Sequence, residues 1–190
     1  MRRHFKSRRW KVLGVIMVAI AIAAVVVQVV PGGANKVQIG SGSVSALSRH
    51  AHSGDALPAS VLSLPFGERN FASSNGAGSR LVRTDGSLSL YAVPGKGRLV
   101  CLIEVDDVAE TAGGACADRN VLLTGSIYMA DVREDGSKDV VGLVGDGHTF
   151  AEADGRRVPT RDNVFVIRGV ESNDVTLGSP TATQTVDIEG

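Results

Sequence analysis

Two histidines and an acid near residue 50 have types and a spacing that could bind a metal ion. His50 and His52 are separated by one residue, and Asp55 follows shortly after them. On an extended segment the two imidazoles share a face, and a carboxylate would supply a third ligand of the kind that Zn²⁺ takes. The neighbouring sequence offers no fourth ligand, and a polar stretch with solvated histidines accounts for the same residues. We therefore predict no metal site, with these three residues as the only candidate ligands.

A third histidine could take part in catalysis. His148 follows Asp146 and Gly147, and a histidine can act as a general base when a carboxylate such as Asp107 or Asp146 orients its ring. An Asp-Gly pair is, however, equally typical of an ordinary turn. No serine stands in a G-x-S-x-G arrangement, which is the nucleophile motif of many hydrolases. We predict no catalytic residue from these features.

Four acids lie close together in the stretch between the two cysteines. They are Glu104, Asp106, Asp107 and Glu110. Such a group could bind Ca²⁺, but its spacing differs from that of an EF-hand loop, and a run of acids is more typical of an exposed loop. A catalytic pair of carboxylates leaves no short motif. An enzyme with a carboxylate-only site therefore stays open as an alternative.

The two cysteines, Cys101 and Cys116, are the only ones in the chain. An isolated pair in an exported domain predicts a disulfide, which would contribute roughly 3 kcal/mol for a loop of about 15 residues. A structural zinc site needs more ligands, and a redox site would use the closer C-x-x-C spacing. We predict a Cys101–Cys116 disulfide.

The stretch from Val12 to Val30 carries no charged residue, and Gln28 is its one polar side chain. As a helix it would cover roughly 28 Å, which matches the hydrocarbon core of a bilayer. Residues 1–11 hold six Lys and Arg and no acid, so the N-terminus is predicted to stay in the cytoplasm. A signal peptide cleaved near Ala34 is the alternative, but its apolar core is usually only about 7–15 residues long.

The charge balance separates the two sides of the predicted membrane helix. The whole chain has 20 basic and 20 acidic residues, and six of the basic ones precede residue 12. The exported part is therefore acidic, which argues against nucleic acid as a partner. The partners that we predict are the lipid bilayer, through residues 12–30, and an envelope protein.

Composition divides the chain into four parts. A basic cytoplasmic tail (1–11) and the transmembrane helix (12–30) come first. The segment 31–45 is rich in Gly and Ser and begins with a proline, which predicts a flexible linker. Residues 46–190 form the extracytoplasmic domain.

Strand patterns dominate this domain. Residues 87–93 alternate polar and apolar side chains, residues 98–105 are almost continuously apolar, and a Pro-Gly turn between them predicts a hairpin. Asp106–Ala115 reads as an exposed loop. Residues 117–124 fit one or two helical turns capped by Asp118, or a strand. Further strands, separated by Asp-Gly and similar turns, are predicted at 126–132, 139–144, 148–152, 156–158, 164–167 and 183–188.

These patterns predict a mainly β protein, a compact antiparallel β-sandwich or barrel-like domain with one or two short helices. One helix is expected at residues 56–62, with Asp55 as its N-cap and Pro58 in its first turn.

Six short blocks occur in order along the exported part: Leu57-Pro58, Leu90–Gly95, Val100–Leu102, Gly114–Cys116, Val140–Val144 and Asn163–Phe165. Together they resemble a family of uncharacterised actinobacterial proteins that are exported or membrane-anchored, over roughly residues 46–188. Gly145 stands where the family pattern would have a proline. The resemblance implies the paired cysteines and the β layout, and it implies no activity.

The sequence thus favours a membrane-anchored extracytoplasmic module that binds a partner at the cell envelope, without catalysis and without a cofactor. The alternatives are a hydrolase-like envelope enzyme with scattered catalytic residues, a structural spacer, and a secreted protein. A pocket holding His148 and carboxylates would favour the enzyme, whereas an exposed apolar patch or an open sheet edge would favour the binding module.

Overall fold

The structure is a computed structural model that describes residues 40–188. The predicted tail, the predicted membrane helix and the cleavage site near Ala34 lie outside the described residues, as do residues 189 and 190. Within residues 40–188, no helix is both long enough and apolar enough to cross a membrane.

The described part of the chain is mainly β, and every strand pairing in it is antiparallel. The first sheet is a meander of four consecutive strands: β1 (Arg80–Asp85), β2 (Leu88–Pro94), β3 (Leu99–Asp106) and β4 (Thr111–Asp118). The second sheet has the order β5 (Ser126–Val132), β6 (Lys138–Val144) and β9 (Val164–Val170). The third has the order β11 (Thr183–Asp187), β10 (Asp174–Gly178), β7 (Phe150–Ala153) and β8 (Arg156–Pro159).

Alternating side chains pack these sheets face to face. The first sheet packs on the second, with Leu102 and Leu143 in one buried cluster. The opposite face of the second sheet packs on the third, with Phe165 and Leu177 in another cluster. The arrangement is consistent with a β-sandwich, and the prediction of a mainly β, antiparallel domain is confirmed.

Two short helices, α1 (Ala59–Leu62) and α2 (Pro65–Asn70), lie on the outer face of the first sheet. Val61 and Phe71 share a buried cluster there with Cys101 and Ile103 of β3. Because Leu102 belongs to the opposite cluster, β3 is covered on both faces. Its nearly continuous apolar sequence predicted this position.

The predicted exposed loop at Asp106–Ala115 is wrong in its second half. Thr111–Asp118 is strand β4, and it pairs along its whole length with β3. Its Ala and Gly residues have low strand propensity, which hid the strand in the sequence. Pairing with a buried neighbour outweighs that propensity. Only the short segment between Asp106 and Thr111 is a turn.

The helix expected at residues 56–62 is also shorter than predicted. Asp55 ends a 3₁₀ turn, Ser53–Asp55, and Pro58 precedes the first residue of α1. The side chain of Asp55 therefore does not cap α1. The helical alternative for residues 117–124 is confirmed, since Arg119–Leu123 forms a 3₁₀ turn and Asp118 accepts a hydrogen bond from the Asn120 amide.

The last residues of the predicted linker lie against the domain. The Ser41 amide donates to the Asp146 carbonyl at 2.8 Å, and the Asp146 amide donates to the Ser43 carbonyl at 2.9 Å. The Asp146 carboxylate accepts the Ser45 amide at 2.9 Å. Residues 41–45 are thus hydrogen-bonded to the turn that follows β6.

Candidate functional site

The four clustered acids are positioned by one hairpin, formed by β3 and β4. We call residues 104–112 the acidic hairpin. The carboxylate of Asp106 accepts the backbone amides of Val108 and Ala109, at 2.9 and 3.0 Å. These bonds shape the turn and point the following side chains outward. Glu110 has a φ of 53°, a left-handed conformation that reverses the chain at the cost of some strain.

A disulfide clamps the base of this hairpin. Cys101 and Cys116 are direct cross-strand partners on β3 and β4, and the structure joins them. The predicted disulfide is therefore confirmed. A covalent link between paired strands restricts how far the two strands can separate, so the acidic hairpin is held on a rigid base.

A groove of about 410 Å³ lies between the acidic hairpin and α1. We call it the acidic groove. Its apolar lining comes from Pro58 and Leu64 on the helical side and from Val105 and Ala112 on the hairpin. Its polar and acidic lining residues are Ser60, Asp106, Asp107, Glu110 and Thr111.

The acids of the groove form no ion pair with the described part of the chain. None of Asp106, Asp107 and Glu110 forms an ion pair with any residue from 40 to 188. The amides of Ala109 and Val108 lower the pKa of Asp106, so this side chain is ionised at neutral pH. Next to these acids, Val108 is 83% exposed. The groove therefore combines an apolar lining with uncompensated negative charge.

Glu104 belongs to the predicted acidic cluster but lies outside the groove. It lies on the face of β3 that also carries Leu102, and Asp131 lies on the face of β5 that also carries Met129. The two acids are therefore on the facing sides of the first two sheets, with Asp131 at the exposed end of β5. Burial, and next the charge of Asp131, raise the pKa of Glu104 to about 7. Partial burial and the charge of Asp139 raise the pKa of Asp131.

Asp131, and the cation Arg168 that acts on Glu104, were not predicted from the sequence. Arg168 of β9 donates to Asp85 at 3.0 Å and to Asp139 at 3.1 Å. Asp131 continues the every-second-residue pattern of Ile127 and Met129. That alternation was the available signal, because it places the carboxylate on the core-facing side of β5.

The predicted candidate metal ligands do not act together. The carboxylate of Asp55 accepts two hydrogen bonds from Arg49, at 2.5 and 2.8 Å, and the backbone amides of His52 and Leu81. The guanidinium of Arg49 holds the pKa of Asp55 well below its ordinary value. His50 and His52 are exposed. Among residues 40–188, no group of three or more His, Cys, Asp or Glu side chains is arranged to hold a metal.

His148 is buried, and no carboxylate of the described residues is hydrogen-bonded to its ring. Its Nδ1 lies 3.1 Å from the Gly145 carbonyl, and its Nε2 has no hydrogen-bond partner in the described chain. The carboxylate of Asp146 is directed instead to Asn163 and to the Ser45 amide. Asp107 lines the acidic groove. The candidate base and its two candidate orienters are therefore not brought together in the structure.

Comparison of the chain with protein-family models, with curated proteins and with solved structures finds no match. The resemblance to an actinobacterial family stays a prediction from the sequence.

Proposed function

We propose that the chain is a membrane-anchored, non-catalytic binding module on the outer side of the cell envelope, and that the acidic groove binds its partner. The partner is a segment of an envelope protein that carries Lys or Arg beside an apolar side chain. The observation that supports this proposal is a groove whose apolar lining is surrounded by carboxylates without ion pairs in the described chain.

The lining of the groove indicates what kind of ligand would fit. Leu64, Val105 and Ala112 offer apolar surface that gains free energy when a partner covers it. A partner with only charged groups would leave that surface uncovered. An apolar side chain on the ligand is therefore part of the proposal.

The charge of the groove indicates the other part of the ligand. Asp106, Asp107 and Glu110 lie within a few residues of one another and form no ion pair with a cation of residues 40–188. A cationic side chain would complement them, raise the association rate and select against acidic partners. The acidic groove is thus suited to a basic segment rather than to a neutral one.

The rigidity of the acidic hairpin also supports binding. Cross-linked strands and a turn tied by the Asp106 carboxylate lose little further freedom when a ligand arrives. A surface that is already ordered binds more tightly than one that must be ordered first. The uncharged run at residues 12–30 would hold this surface close to the membrane.

Photocrosslinking from two valines tests the surface in living cells. Val108 beside the groove is 83% exposed, and Val132 at the end of β5 is 70% exposed. Each is replaced by benzoylphenylalanine in the full-length protein. We expect a crosslinked partner from position 108 whose yield falls as the salt concentration rises, and no such product from position 132. Equal crosslinking from both positions would contradict the proposal.

A matched pair of charge-neutralised proteins tests whether the groove matters for the cell. Asp107→Asn with Glu110→Gln removes two charges from the groove, and Glu171→Gln with Asp174→Asn removes two exposed charges elsewhere. In a deletion strain, we expect the groove protein to lose complementation and the crosslink from position 108 to fall about tenfold. The control protein should behave as wild type. Full complementation by the groove protein would contradict the proposal.

A further inference from the structure

The first described residues are hydrogen-bonded to a small group of polar residues near the end of β6. The Ser41 amide and the Ser43 carbonyl both hydrogen-bond to the backbone of Asp146. The side chain of Asn163 accepts the Ala46 amide at 3.0 Å and donates to the Asp146 carboxylate at 2.8 Å. We call residues 40–46 the entry segment, and these bonds hold it on the domain.

The backbone of the entry segment lies directly on the imidazole of His148. A Cβ at Gly40 would lie 2.5 Å from the His148 Cε1 and 2.9 Å from the Leu122 carbonyl oxygen. A Cβ at Gly145 would collide with the Ser41 carbonyl oxygen. Both glycines are therefore needed for this close backbone approach. The entry segment at Gly40 is therefore in close contact with the His148 ring.

The surroundings of His148 favour the neutral form of its ring. The side chain is 7% exposed, Nδ1 faces the Gly145 carbonyl, and Nε2 has no acceptor among residues 40–188. Protonation would place a charge and a second N–H donor in a position that offers neither water nor an acceptor. Burial accordingly lowers the pKa of His148.

Within the described residues, no charged side chain is placed to stabilise a protonated His148. The Asp146 carboxylate is engaged with Asn163 and with Ser45. The other charged residues of the surrounding elements are exposed. They are Arg119 in the 3₁₀ turn, and Arg161 and Asp162 in the loop before β9. The entry segment itself has no titratable side chain from residue 40 to residue 46.

We infer that His148 is an acid-sensitive latch: protonation of its imidazole releases the entry segment from the domain. Release would lengthen the connection that precedes the domain without unfolding its sheets. This inference does not depend on the acidic groove, which is lined by other residues.

Hydrogen exchange of the full-length protein in detergent micelles tests the latch. Exchange at residues 41–46 is measured at pH 7.5 and pH 5.0, with correction for the intrinsic rate. We expect at least about tenfold faster corrected exchange at pH 5.0 in this segment, while the strands of the second sheet stay protected. No change at pH 5.0 would overturn the inference.

Two variants separate the imidazole from other acid effects. His148→Phe keeps an aromatic ring that cannot be protonated, so exchange of the entry segment should lose its dependence on pH. His50→Ala with His52→Ala removes two exposed imidazoles, and the pH dependence should remain. If His148→Phe retains the acid response, the latch is wrong.

An NMR titration of the wild-type protein provides a test that needs no variant. The imidazole Cε1–H signal of His148 and the amide signals of Ser41 and Ser43 should titrate together with one midpoint below that of a solvated histidine. Separate midpoints would overturn the inference even if His148→Phe failed to fold.

Discussion

Asp55 and Glu104 are two carboxylates that the fold withdraws from water, and their surroundings act on them in opposite directions. Asp55 accepts hydrogen bonds from Arg49 and from two backbone amides, and its pKa is lowered. The side chain of Glu104 makes no hydrogen bond within residues 40–188 and faces the charge of Asp131, and its pKa is raised to about 7 although the charge of Arg168 acts in the opposite direction. The carboxylate of Asp55 is thus surrounded by hydrogen-bond donors, whereas burial and a second acid act on that of Glu104.

Asp55 stabilises the fold, whereas the ionised form of Glu104 destabilises it. Asp55 ties the segment before α1 to the start of β1, because its partners lie in both places. Glu104 has no such role, and its charge adds to that of Asp106 on the same strand.

Removing the hydrogen-bonded carboxylate of Asp55 should have the largest effect on stability. Asp55→Ala leaves the Arg49 guanidinium and the amides of His52 and Leu81 without their acceptor, so we expect a loss of about 3 kcal/mol in the free energy of unfolding. Urea denaturation of the full-length protein in detergent measures it. The control Asp174→Ala removes an exposed carboxylate and should change stability by less than about 0.5 kcal/mol. A loss below about 1 kcal/mol for Asp55→Ala would show that the network is not structural.

Neutralising the carboxylate of Glu104 should have a smaller effect, and it should raise stability rather than lower it. The pKa of Glu104 is about 7 in the folded protein and about 4.3 in an unfolded chain. The folded state therefore binds more protons in this interval, and wild-type stability falls as pH rises through it. Glu104→Gln should raise Tm by about 3 °C at pH 8 and by less at pH 5.

Thermal scans of the full-length protein at the two pH values measure this difference. The control Glu171→Gln neutralises an exposed glutamate and should leave Tm unchanged at both pH values. A decrease in Tm for Glu104→Gln at pH 8 would mean that the ionised carboxylate has a stabilising partner.

The smallest expected effect is a change in the pKa of Glu104 rather than in stability. Asp131→Asn removes the charge that is the second cause of the raised pKa of Glu104. The pKa of Glu104 should fall but stay above its ordinary value, because burial is the larger cause. Carbon-13 NMR of the Glu104 carboxyl carbon measures the change, with Asp174→Asn as control. An unchanged midpoint would show that the two acids do not interact.

The strands that were predicted correctly are those with a strong local pattern. Residues 87–93 alternate, residues 98–105 are almost continuously apolar, and an Asp-Gly pair at residue 135 separates β5 from β6. Strand β4 was missed because its Ala and Gly residues carry no such pattern. Its conformation comes from pairing with β3, and a single sequence does not display that contact.

The candidate site was predicted only in part, for a similar reason. The run of acids was visible, but the opposite wall of the acidic groove comes from Pro58 and Leu64, which are distant in the sequence. The side of β3 on which Glu104 lies follows from alternation, whereas its meeting with Asp131 depends on how two sheets pack. The burial of His148 likewise depends on the entry segment that crosses it.

The second sheet has an apolar cluster on each side. Leu143 belongs to the cluster shared with the first sheet, and the neighbouring Val144 to the cluster shared with the third. Opening either outer sheet would expose one face of β6 to water, so we expect the three sheets to melt in one cooperative transition. A protease that cuts within an outer sheet should therefore leave no stable core fragment.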